Sequence, residues 1–533
     1  MNKKIIKLVW SAALAVLAFP SFLFSQEGEA GVKWGGFVKV DMFNDSRAVT
    51  AVRDDMFMLY PAERKQITSA PTIGTTKVIT DPLAEFVYVY GNKEDLNAVR
   101  QTSITAVQTR INVTLTGPDA FGAKTKGFIE ADFFGTSNTT TWLFRNRHAY
   151  VEMDWSGSKL LAGLTWHPLF VAGYHPETVQ FSPITPIHPF NRSPQVRYTQ
   201  NLGSNLSLAL AAIYRAYHAD TGPSSNSVTA SDGTQSYPTT GNWQCSLVNC
   251  TGNTNVSVYS SRFKRWAERP DLDIQLLYKS DAFDIGITLD FNSLRPYDNI
   301  PNYDNTSSAT QVGNNKNEVK GMIWQIFGKL VLDKDNNGHV RFNYVQGENT
   351  NHLTMLGGYA QKGDFVLENL TALGLSTAEA NFIKAFTRKE YTPIKVTSYW
   401  IQPIWGKDTE YSLIYGKIEN KGAKDDVKTF YSRGSNIKSV TSIIPQVRFK
   451  SGKTIIGLML GYFEAEYMED DKGYKKVTEE VLKQAGIWAG DYRILKINNI
   501  TIPNPSVMDS KGVIGDTYKV VDYRIQASVQ QNF

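Results

Sequence analysis

The sequence predicts an all-β protein, a transmembrane antiparallel β-barrel of about sixteen strands with short periplasmic turns and long extracellular loops. Three features predict it. Apolar and polar residues alternate through short segments, short and long connections succeed one another strictly, and the chain opens on a secretory signal.

The signal comes first in the chain. Lys3, Lys4 and Lys7 give a basic start, and the run from Leu8 to Phe24 is apolar but for Ser11 and Ser21. Pro20 interrupts that run, and Ser25 precedes Gln26 and a polar stretch. A basic start, a short apolar region and a small residue at its end mark a cleaved signal peptide. Residues 1–25 are therefore expected to be the signal, and 26–533 the barrel. A retained helix is the alternative, but the proline and the polar exit favour cleavage. No other stretch of about 18 continuous apolar residues occurs, which excludes a helical membrane protein.

A mean hydropathy of −0.30 resembles that of a water-soluble chain. A barrel gives the same value, because every second strand residue faces water. Aromatics reach 12%, as girdles at two membrane interfaces require. The net charge of +5 is too mild to suggest a nucleic-acid partner. Cys245 and Cys250 lack the spacing of a redox or zinc motif and are expected to form a disulfide that staples a loop.

The period of two is clearest at the C-terminus. Val521, Tyr523, Ile525, Ala527 and Val529 alternate with Asp522, Arg524, Gln526, Ser528 and Gln530, and Phe533 falls in phase with the apolar set. The terminal aromatic resembles the sorting signal of outer-membrane barrels. Strands are expected near 33–44, 103–116, 122–134, 141–156, 158–166, 194–201, 204–218, 262–279, 282–294, 318–332, 338–349, 392–405, 408–419, 436–451, 453–468 and 516–533. Segments 392–405 and 453–468 carry apolar residues on both faces. Long connections fall at 45–102, 167–193, 219–261, 295–317, 350–391, 420–435 and 469–515, with tight turns between them. Such segregation puts all short turns at one end, as in outer-membrane barrels, and both termini with them. Helical patterns occur within 365–386 and 477–484.

Motifs for catalysis are absent: no GxSxG, P-loop or dinucleotide fingerprint stands out, so no enzyme and no cofactor are expected. Asp333–Gly338 matches half of a calcium loop, but Tyr344 stands where the bidentate glutamate belongs, which leaves a tight turn. His167, His175 and His188 share one loop at a spacing too loose to predict a metal site. That loop, 167–193, holds five prolines and few charges, Glu177 and Arg192. A stiff, half-apolar segment of this kind is expected to fold into the lumen and narrow it; packing over the rim is the alternative.

The polar faces put Arg110, Arg197, Arg215, Arg341, Arg448 and Arg524 inward, together with Glu130, Asp132, Asp273, Asp284, Asp290 and Asp522. With Arg192 and Glu177 of the loop, the arginines, Glu130 and Asp132 are the expected pore lining. Arginines facing acids across a lumen set up a field that sorts ions by sign; the alternative is that they pair and fill the wall. Arg145 and Arg147 fall on the outward phase, which requires either a bulge or a subunit interface.

Several pieces resemble the DcaP-like porins: GGFVKVD (Gly35–Asp41), QTRINVTLTGP (Gln108–Pro118), FIEADFFG (Phe128–Gly135), RNRHAYVEM (Arg145–Met153), LLAGLTW (Leu160–Trp166) and RSPQVRYTQ (Arg192–Gln200). Pro176–Thr178 also fits. The likeness covers roughly a third of the chain. It implies a trimeric outer-membrane channel for dicarboxylates and other anions. The family's N-terminal coiled coil is not expected here, because about seven residues separate Gln26 from the first strand. The expected protein is a porin for passive diffusion of small anionic solutes, embedded in outer-membrane lipid as a homotrimer. Its rivals are a structural or partner-binding barrel with a plugged lumen, and a barrel enzyme.

Overall fold

The computed structural model describes residues 30–65, 95–136, 138–215, 244–246, 250–251, 261–296, 299–301, 311–314, 318–333, 335, 337–363, 390–469 and 508–533. The expected signal peptide and both expected helical patterns lie outside them. Sixteen antiparallel strands form a closed wall. They are β1 (Gly31–Asp45), β2 (Gln101–Thr105 and Arg110–Thr116), β3 (Lys124–Asp132), β4 (Arg145–Asp154), β5 (Ser158–Trp166), β6 (Arg192–Asn201), β7 (Leu206–Ile213) and β8 (Asp271–Lys279). The second half is β9 (Phe283–Leu294), β10 (Val319–Val331), β11 (Gly338–Glu348), β12 (Tyr391–Trp405), β13 (Thr409–Ala423), β14 (Ile437–Ser451), β15 (Thr454–Met468) and β16 (Thr517–Asn532). Closure falls on β1. It pairs with β16 from Phe37↔Asn532 to Asp45↔Arg524, and with β2 from Gly31↔Thr116 onward. No strand of the wall is left with an unpaired edge, the condition for crossing a bilayer with strands.

Register explains the two faces. Across β8 and β9, Leu272, Ile274, Leu276 and Tyr278 meet Phe291, Leu289, Ile287 and Ile285, and this row points outward. Asp273, Gln275 and Leu277 meet Asp290, Thr288 and Gly286 on the inside. Apolar side chains exposed in such continuous rows would be a liability in water and are the expected covering for lipid. No helix among the described residues is long and apolar enough to cross a membrane.

The wall departs from simple alternation where β1 meets β2. β2 breaks at Ala106–Thr109, where Thr109 N–H donates to Ala106 O and Val107 is fully buried. Beside the break, Gly36 has φ +140°, and a Cβ there would lie 2.2 Å from Arg110 O, so the close approach of the two strands requires glycine.

Some expected boundaries shift. The segment expected to start a strand at 262 instead forms a helix, Ser261–Trp266, before β8 begins at Asp271. Residues 141–144 precede β4 as a turn. The 420–435 connection is largely strand: β13 runs to Ala423 and Val427–Arg433 forms another strand, paired with Gly357–Lys362. The Asp333–Gly338 segment is the tight turn it was expected to be, with Asn337 N–H donating to Asp333 Oδ1 at 2.9 Å.

Among the described residues, three long connections fold inward. They are the hairpin Val49–Val52/Phe57–Pro61, the loop 167–191, and the turn Thr350–Leu353 with Thr354–Leu356. Met58, Leu59 and Tyr60 of the first, Leu169, Val179, Ile184 and Ile187 of the second, and Leu353, Met355 and Leu356 of the third form one apolar cluster. The cluster rests on the inner faces of β10–β16, on Val396, Trp400, Ile414, Ile418, Ile444 and Phe463 among others. Gly416 leaves room for it: a Cβ there would meet Ile184 Cδ1 and Ile187 Cγ2, both at 3.1 Å. This is why β12 and β15 read as apolar on both faces. One face meets lipid and the other meets the inserts. Each fully buried aliphatic side chain contributes about 1.5–3 kcal/mol.

The outward row yields a test. Ile274→Arg places a charge on the lipid face near mid-strand and is expected to lower the unfolding free energy in phospholipid vesicles by about 2–4 kcal/mol. An unchanged unfolding free energy would mean that this face does not contact lipid.

Candidate functional site

The loop 167–191 is built to be rigid. Its first turn, Pro168–Phe170, is capped by His167 Nδ1, which accepts from Leu169 N–H at 3.3 Å. Pro168, Pro176, Pro183, Pro186 and Pro189 fix φ along the segment and reduce the entropy lost on ordering it. Most residues from His167 to Asn191 are buried.

Its polar groups are met by inward side chains around the barrel. On the side near β8–β10, Gln275 donates to Pro168 O at 3.1 Å, Gln325 to Leu169 O at 2.8 Å, and Tyr174 Oη to Asp284 at 2.8 Å. On the opposite side Gln402 accepts from Glu177 N–H at 2.9 Å and donates to Glu177 O at 2.8 Å. Gln446 accepts from Val179 N–H at 2.9 Å and donates to Glu177 O at 2.6 Å. Lys39 donates to Val179 O and Ser398 to Ile187 O. Gln402 and Arg448 lie near the short-turn ends of β12 and β14, so the tip of the loop descends deep into the barrel. Of the two arrangements open to this segment, the one inside the lumen is found.

Glu177 anchors the tip. Its carboxylate accepts from Arg341 at 2.5 Å and from Arg448, which also pairs with Glu410. Burial alone would raise the Glu177 pKa, but Arg341 and Arg448 outweigh it and hold it at about 2. His175, next to it, is pushed down to about 4 by burial and by the positive charges of Arg341, Arg110 and Arg448. The tip thus lies within the field of Arg110 on the facing wall.

That wall, β2 to β6, is basic. Arg110 is partly exposed and stands 4.0 Å from Glu130. Arg145 grips Asp132 through two contacts of 2.7 and 3.0 Å, and Arg147 joins Glu130 at 2.7 Å to Asp132 at 2.9 Å. Arg192 lies over the Trp166 ring at 4.8 Å. Arg197 donates to the neutral acceptors Gln195 Oε1 and Trp166 O. Four guanidiniums, Arg110, Arg145, Arg147 and Arg192, therefore act on the carboxylates of Glu130 and Asp132, while Arg197 lies on the same wall in the field of Asp273. Arg145 and Arg147 turn inward because the β3–β4 register slips between Glu130↔His148 and Ala131↔Asn146, which leaves Arg147 as an extra residue. That bulge corrects their outward phase.

Two other candidates sit elsewhere. Arg215 is buried against Asp271 at 2.5 Å, with Lys264 on the same carboxylate. Arg524 makes a two-pronged pair with Asp45 at 2.6 and 2.8 Å and covers the Phe43 ring. These are tightly paired wall contacts. The backbone register puts Cys245 opposite Cys250, while their side chains lie outside the described residues. The partners of the loop, Gln402, Gln446, Lys39 and Tyr174, were not foreseen. The signal for Gln402 and Gln446 is a lone amide on an otherwise apolar inward row.

The fold is that of an outer-membrane porin. It is similar to the outer membrane channel DcaP of Acinetobacter baumannii, at 14% identity over 96% of this chain and 99% of that one, with a TM-score of 0.52. OmpT, an outer membrane protein of Vibrio cholerae, aligns at 7% identity over 96% of this chain and 100% of that one, with a TM-score of 0.43. No family model matches the chain, and no curated protein sequence matches it.

The clamp on Glu177 predicts a pH dependence. A carboxylate whose folded pKa lies below its ordinary 4.5 adds stability that is complete above 4.5 and is lost as pH falls through about 2. Glu177→Gln is expected to lower the denaturant unfolding free energy at pH 7 by on the order of 2 kcal/mol, between the values for exposed and buried pairs. The gap from wild type should close as pH falls below 4.5. A gap that ignores pH would mean the carboxylate is not clamped.

Proposed function

We propose that the protein is an outer-membrane porin that lets small anionic solutes, carboxylates above all, diffuse passively through the barrel. The single observation that carries this reading is the basic wall of β2–β6 facing the inserted loop. Arg110, Arg145, Arg147, Arg192 and Arg197 outnumber Glu130 and Asp132 there, and guanidinium is charged at any working pH and binds carboxylate in two-pronged fashion. A positive wall opposite a fixed barrier raises the local concentration of anions and disfavours cations. The reading involves no catalysis. A homotrimer, implied by the resemblance to DcaP-like porins, belongs to it.

A second reading has its own support. The apolar cluster fills the β10–β16 side of the lumen with three inserts, as in a barrel that serves as a scaffold or binds a partner.

Planar-bilayer recording separates the two. Conductance steps with a reversal potential favouring anions are expected; absence of steps would favour the scaffold. Partly solvated charges act with about 0.2–1 kcal/mol each, so replacing Arg110 and Arg197 with Ala should lower the anion-to-cation permeability ratio roughly twofold or more. An unchanged ratio would make these two arginines wall filler.

A further inference from the structure

The root of the inserted loop meets a second cluster, on the side of the barrel away from Glu177. His167, Asp290 and His352 are fully buried, and one ligand atom from each lies within 4.8 Å of the others. They come from three separate pieces of chain: the exit of β5, the inner face of β9, and the turn after β11. His167 Nε2, Asp290 Oδ2 and His352 Nε2 are all buried without a hydrogen-bond partner. Buried polar atoms are almost always partnered, and three orphans converging on one point call for a shared one.

On Asp290 and His352 the remaining atoms are held in the manner of metal ligands. His352 Nδ1 lies 3.1 Å from Asn349 O. A carbonyl only accepts, so Nδ1 carries the proton and Nε2 presents a bare lone pair. Asp290 Oδ1 accepts from Asn292 Nδ2 at 2.8 Å, and Asn292 Oδ1 accepts from Asn349 Nδ2 at 3.1 Å, which links the outer supports of Asp290 and His352. Behind His167, Asp273 Oδ2 lies 3.5 Å from Nδ1. Leu169 N–H donates to that nitrogen at 3.3 Å, which leaves the proton of the neutral ring on Nε2; ligation through Nε2 requires that proton to shift to Nδ1, where Asp273 replaces Leu169 as its partner. A carboxylate behind a ligating imidazole is the usual outer support in metal sites.

Charge points the same way. Asp273 and Asp290 are directly opposed across β8–β9, with their carboxyls close enough to hydrogen-bond to each other when one is protonated. The nearby cations are otherwise engaged: Arg215 and Lys264 on Asp271, and Arg197 on Gln195 and Trp166 O.

We propose that His167, Asp290 and His352 bind one divalent transition-metal ion, with Asp273 orienting His167. Two imidazoles and a carboxylate suit zinc, nickel, cobalt or ferrous iron rather than calcium or magnesium. Bond lengths of about 2.0–2.2 Å require the three side chains to close by roughly 1 Å on the ion. The bound ion pins the root of the loop to β9 and to the 350–356 insert. The site does not depend on the porin reading and would serve a scaffold equally.

The test uses full-length protein without a histidine tag, stripped with chelator and titrated with Co²⁺ and Zn²⁺. One equivalent per chain is expected, with a Co²⁺ spectrum and X-ray absorption indicating imidazole and oxygen ligands. Failure of the wild type to take up one equivalent would overturn the site. His352→Gln and Asp290→Asn should each weaken binding more than a hundredfold, and Asp273→Asn about 10–100-fold. His175→Gln, in the same loop but outside the cluster, should leave it unchanged. Unaltered affinity in His352→Gln would refute the assignment. Should the variants fail to fold, absence of imidazole from the wild-type absorption spectrum would refute it as well.

Discussion

A bilayer offers no water to a backbone N–H or carbonyl, and the rest of this structure depends on that constraint. It forces the chain to close on itself, and closure falls on β1, which joins β16 to β2. Once the wall is closed, each strand has an outer face that must be apolar and an inner face free to vary. The inner face then becomes a surface shielded from lipid, and the three inserts among the described residues pack against it. On the β10–β16 side they bury apolar side chains. On the β2–β6 side the wall keeps its charges.

How the charges are kept follows from their cost. A guanidinium taken from water loses several kcal/mol of hydration, recovered only with good geometry and further hydrogen bonds. Arg524 with Asp45, and Arg145 with Asp132, meet that requirement through paired contacts. Arg110 remains partly solvated, with Glu130 at 4.0 Å. The wall thus divides into arginines that hold the barrel together and arginines that water still reaches.

The barrel was legible because a period of two survives wherever one face meets lipid, as in Leu272, Ile274, Leu276 and Tyr278. It shifts where a single residue is inserted: Arg147 breaks the phase of β4, and the two arginines on the outward phase marked the slip without deciding between a bulge and a subunit interface. The descent of loop 167–191 was legible from its prolines. The hairpin at Phe57–Pro61 and the turn at Thr350–Leu353 were not, since buried apolar residues in a connection look the same at a rim as in a lumen. Two of the loop histidines lie against residues far along the chain, His167 beside Asp290 and His352 and His188 accepting from Trp400, where spacing carries no information.

The seams that hold the loop join residues very far apart. Glu177 is tied to Gln402 across 225 positions and to Gln446 across 269. Contacts of such separation carry a high loop-closure entropy. The segment therefore has nowhere to dock until β12 and β14 stand in place. The barrier inside the barrel is thus sewn to strands that lie far beyond it in the chain.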